Sequence, residues 1–77
     1  MSKFIIKKLW AVISIDDDGD EGVCAWPLAG GSVLMPLVAS DPERLGEIRY
    51  MAQQLAQMNF ADIKIVRFDN ITVEDVF

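Results

Sequence analysis

The first long apolar stretch, residues 4–15 (FIIKKLWAVISI), is rich in β-branched and aromatic side chains, holds no proline and opens on no helix cap. From Leu9 onward both alternating sets of positions are apolar: Leu9, Ala11, Ile13 and Ile15 against Trp10 and Val12. That is the pattern of a strand covered on both faces and therefore central in its sheet. Lys7 and Lys8 interrupt both sets, so the stretch begins exposed. Residues 22–28 (GVCAWPL) read as a second strand, which Pro27 ends or confines to an edge. Asp18-Gly19 between them is a hairpin signal, because both central positions of a two-residue turn need positive φ. This register sets Asp17 against Asp20, Asp16 against Glu21, and Trp26 against Ala11. Trp10 and Trp26 are then expected on opposite faces.

Gly30-Gly31 marks a turn, and residues 33–39 (VLMPLVA) a third extended segment that Pro36 restricts to an edge or a bulge. The run Ser40-Asp41-Pro42-Glu43 starts a helix: serine caps, proline is tolerated in the first turn, and glutamate bonds back to the Ser40 amide. The helix is expected over residues 41–58. Leu45, Ile48, Ala52, Leu55 and Ala56 form its apolar face, Met51 and Met58 act as core filler on its flank, and Asn59 is its C-cap. Residues 62–68 (DIKIVRF) form a last strand, with Ile63 and Ile65 on one face and Val66 and Phe68 on the other. ITVEDVF, after an Asp69-Asn70 turn, reads either as a final helical turn or as a short edge strand.

The order β-β-(β)-α-β defines an α+β fold. A three- or four-stranded antiparallel or mixed sheet carries one helix on one face. At 77 residues the chain is one domain, residues 1–77. Nothing in it covers the second face of the sheet, although the first strand is apolar on both sides. With 52% hydrophobic residues, high for so short a chain, a second copy or another protein is the natural cover, and a homodimer is expected.

Charge adds a second surface. The net charge is −5, and Asp16, Asp17, Asp18, Asp20 and Glu21 supply five of the 12 acids. No basic stripe exists for a phosphate backbone or an anionic membrane, so direct binding to nucleic acid or membrane is not expected. Asp16, Asp18 and Asp20 have the spacing of the first three ligands of a calcium loop. That loop wants glycine at its sixth position and glutamate at its twelfth, where this chain has Glu21 and Pro27. Three readings stay open for the turn: a cation site, a solvated tip, or an acidic face offered to a basic protein.

Catalytic chemistry finds little support. The chain has no histidine, so Ser-His and Cys-His pairs are impossible, and one cysteine cannot build the usual zinc set. Cys24, with apolar neighbours in a strand, reads as a core thiol. Gly30-Gly31-Ser32 lacks the spacing and lysine of a phosphate loop. No catalytic residue, metal or cofactor is expected. The lone cysteine suits a reducing compartment, no apolar run reaches the ~20 residues of a bilayer span, and a cytoplasmic protein is expected.

The segments EGVCAWPL, LMPLVASDPERL and IKIVRF resemble small phage- and prophage-encoded proteins. That resemblance carries no activity and no site residue with it. It implies an accessory protein of a mobile element that binds a host or phage component. By analogy with anti-CRISPR proteins, such a protein occludes the basic groove of a nucleic-acid-processing enzyme. The partner-binding residues expected are Asp16, Asp17, Asp18, Asp20 and Glu21, with Trp10 and Trp26 as anchors. The alternative is a structural subunit that assembles through its sheet face.

Overall fold

The computed structural model describes residues 5–58 and 62–77. The α+β expectation holds: one helix packs on one face of an antiparallel sheet. The doubly apolar strand, β1 (Leu9–Ile15), is central. Residues 5–8 precede it as exposed, irregular chain, with the lysines that broke the apolar pattern.

β2 (Glu21–Val23) returns antiparallel along β1 from Ile15↔Glu21 to Ile13↔Val23. At Cys24 the chain leaves the sheet. It runs out as β3 (Ala25–Leu28), turns through Ala29–Gly31, returns as β4 (Val33–Pro36) and rejoins β1 at Leu37. β5 (Val38–Ala39) then continues on the edge that β2 left, paired with Ala11 and Trp10. Val12 is the junction: its carbonyl accepts from the Cys24 amide (2.8 Å) and its amide donates to the Leu37 carbonyl (3.0 Å). One edge of the central strand is thus a single strand interrupted by a hairpin arm. The other edge is fully occupied by β6 (Asp62–Phe68), paired from Leu9↔Phe68 to Ile15↔Asp62.

The arm corrects two expectations. Residues 22–28 are not one continuous strand beside β1, and residues 33–39 are not one extended segment; each divides, at Cys24 and Leu37. The Leu37 amide bonds the Cys24 carbonyl at 2.9 Å, so the hydrogen-bonded pairs of the arm fall at Trp26↔Met35 and Leu28↔Val33. The alternate pairs, Ala25↔Pro36 and Pro27↔Leu34, hold both prolines where a backbone N–H would point outward. Each proline removes a donor from an outer edge without weakening the arm, which is the edge role its presence in the sequence implied.

Helix α1 (Pro42–Gln57) starts one residue later than expected. Asp41, not Ser40, is the N-cap: its carboxylate accepts from the Arg44 amide at 2.8 Å, and Pro42 takes the first helical position. The helix closes at Met58, whose amide reaches the carbonyls of Gln54 and Leu55; Asn59 lies outside the described residues. Ile48 and Ala52 bury against Val12, Leu37 and Ala39, with Leu45, Met51, Leu55, Ile63 and Ile65 packed around them. Ala56 and Met58, expected in the apolar face and flank, are exposed. The tail after β6 forms neither a helical turn nor a strand and is exposed.

The chain presents an accessible surface of 6249 Å², where a folded monomer of 8.6 kDa is expected to present about 4,700 Å². Its radius of gyration is 14.2 Å against about 11–12 Å for a compact domain of this length. Both follow from the projecting arm, the irregular residues 5–8 and 69–77, and the helix, which packs on one face of the sheet.

Candidate functional site

The acidic turn is built by its own first carboxylate. The Asp16 carbonyl accepts from the Gly19 amide and the Asp16 amide donates to the Asp20 carbonyl, both at 3.0 Å. This closes a three-residue loop, with Gly19 at φ +86° supplying the left-handed position that ends it. One oxygen of Asp16 also accepts from the amides of Asp18 (3.0 Å) and Asp20 (2.9 Å). The loop is therefore one residue longer than the Asp18-Gly19 turn read from the sequence, and the register moves by one.

That slip changes every cross-strand neighbour. Asp16 now lies against Asp20, and Glu21 against Ile15 rather than against Asp16. Glu21 and Lys64 are both placed by the register on the face away from the helix, and their side chains meet across β1 at 3.2 Å. Half-exposed, that pair contributes little to stability. The two tryptophans do not face opposite ways. Trp26 never pairs with β1; it pairs with Met35 on the arm, and both Trp10 and Trp26 pack half-buried against the same core. Lys8 rests its ammonium 5.7 Å from the Trp10 ring centroid.

Of the five acids, Asp16 is committed to the turn and Glu21 to Lys64, while the carboxylates of Asp17, Asp18 and Asp20 stand exposed with no hydrogen-bond or ion-pair partner among the described residues. The carboxylate oxygens of Asp16, Asp18 and Asp20 lie within 4.8 Å of one another. The turn geometry accounts for this closeness, and three carboxylates fall well short of the roughly six to eight oxygens of a calcium site.

Two clefts were not legible in the sequence. One, of about 550 Å³, lies between the root of the arm and the end of the helix, lined by Cys24, Trp26, Pro27, Leu55, Met58 and Ile63 among others. It is almost wholly apolar and brings no carboxylate or amine into reach of a reacting atom. The other, of about 420 Å³, lies at the helix N-terminus beside Lys7, Lys8 and Asp41, whose carboxylate caps the helix. Their residues come from segments far apart in the sequence, and no local pattern could have announced that.

The face of the sheet opposite the helix carries Leu9, Ala11, Ile13 and Ile15 in the centre, Val23 and Val38 on one side, and Val66 and Phe68 on the other. On this face Ala11 and Ile13 are buried and Leu9, Ile15, Val38 and Val66 half-buried, while Val23 is 54% and Phe68 47% exposed. No helix among the described residues is long and apolar enough to cross a membrane. Comparison with known proteins finds no matching family model, curated protein or solved structure.

Proposed function

We propose that this protein acts by binding another protein chain, which completes its surface, and not by catalysis. The observation that carries this reading is the accessible surface, about one-third larger than that of a folded monomer of equal mass. Exposed apolar side chains stand on the sheet face (Val23, Phe68), on the arm (Leu28, Val33, Leu34) and on the tail (Ile71, Val73, Val76, Phe77). Apolar surface on this scale is favourable to remove from water and is characteristic of interaction sites. The apolar cleft fits the same reading, because it offers shape without acid–base groups.

The test is to replace Val23 and Phe68 on the open face with serine and to compare association of the variant and the parent, with itself and with proteins of a bacterial extract. The double variant is expected to keep its thermal unfolding midpoint within a few degrees and to lose its associations. Undiminished association would show that this face is not used.

A second reading is favoured by the three unpartnered carboxylates held on a turn braced by Asp16. In it, Asp17, Asp18 and Asp20 enter the basic groove of a nucleic-acid-processing protein, as an accessory protein of a mobile element would do. The order of the turn supports it: the charges are pre-organised, so little entropy is lost when they dock.

A further inference from the structure

Strand edges are templates for pairing, and this fold treats its edges unequally. The β2/β5 edge is broken by the arm at Cys24 and Leu37, and both strands of the arm carry a proline at an outward position. β6 has none of these devices. It is seven residues long, contains no proline or glycine, and among the described residues pairs only with β1. The direction of its free groups follows from the ladder. Val12 and Asp16 turn their amides toward the β2/β5 edge, so the odd-numbered residues of β1 bond to β6. Their partners are Asp62, Lys64, Val66 and Phe68. Ile63, Ile65 and Arg67 therefore point their N–H and C=O groups out of the sheet.

We propose that β6 pairs antiparallel with β6 of a second copy, about a two-fold axis at Ile65. In that register Ile65 meets Ile65, and Ile63 meets Arg67, so all three outward positions bond. Lys64 meets Val66 and Asp62 meets Phe68, and no like charges oppose one another. A shift of the axis to Lys64 would set two lysines together. The axis at Ile65 also keeps both helices on one face of a continuous eight-segment sheet and joins the two open apolar faces. Acids of the two tips stay far apart, since Asp16 to Glu21 adjoin the opposite edge of β1.

This inference rests on the reading that another chain completes the surface, and amide hydrogen exchange separates the two. At millimolar concentration the amides of Ile63, Ile65 and Arg67 are expected to exchange about tenfold or more slowly than in dilute solution, approaching Lys64 and Val66. Arg67→Pro, which repeats at β6 the device of Pro27 and Pro36, is expected to abolish that protection and the dimer; Arg67→Ala is expected to keep both. Free exchange at Ile63 and Ile65 in a dimeric protein would overturn the β6 pairing and leave the open face as the interface. Monomeric protein that binds a protein of another sequence would overturn the pairing and leave the binding reading intact. Monomeric protein that binds nothing would overturn both.

Discussion

Leu37→Ala is expected to lower the free energy of unfolding by about 3 kcal/mol, within the roughly 2–5 kcal/mol found for buried leucines. Leu37 is fully buried, touches the cluster of Val12, Ile48 and Ala52, and sits where the arm rejoins the sheet. Its backbone cannot relax into the gap, because its amide and carbonyl are held by Cys24 and Val12. A chain of 77 residues has in all about 4–12 kcal/mol of stability, so the midpoint of thermal unfolding should fall by some 12–24 °C. Leu34→Ala, on the arm and 64% exposed, is the control and should change stability by no more than about 0.5 kcal/mol. Urea unfolding of both variants at one protein concentration measures the difference. Equal losses would mean that Leu37 does not belong to the core.

The second large effect concerns the turn. Asp17→Asn, Asp18→Asn and Asp20→Asn together are expected to weaken binding to a basic protein surface by about 2 kcal/mol, roughly thirtyfold, at low salt. The salt dependence of the association rate should flatten in parallel, because the steering charge is gone. Asp16 is left unchanged, since its carboxylate holds the amides of Asp18 and Asp20, and Glu21 is left to Lys64. With the turn intact, a change in affinity reports on charge alone. Titration of wild type and variant against the same partner at two salt concentrations checks it, and identical affinities would leave the acids as a solvated tip.

Patterns that depend on near neighbours were legible in the sequence. The two-sided apolar run of β1, the helix seeded by Pro42 with Ile48 and Ala52 inward, and the alternation of β6 all appear as read. Errors arose where two local solutions compete within one residue. Asp41 and Ser40 can both cap, and Asp41 wins because its carboxylate reaches the Arg44 amide. Asp18-Gly19 suits a two-residue turn, but Asp16 gathers two further amides and lengthens the loop to three. That single step put Trp26 opposite Ala11 on paper, while in the fold the chain has already left β1. The arm itself was hidden because Cys24 and Leu37 pair with Val12 through backbone groups, which leave no mark in side-chain pattern. Pro27 and Pro36 did signal edges, though not which edges. The bare outer side of β6 could be recognised only after the other edges were placed.

On the reading proposed here, this chain is completed by another. Analytical ultracentrifugation of fluorescently labelled protein, pure over a range of concentrations and then in bacterial extract, tests it most directly. The expected mass lies above the 8.6 kDa of one chain and reaches twice that value in pure solution as concentration rises. A species that remains at 8.6 kDa at every concentration, in buffer and in extract alike, would contradict it.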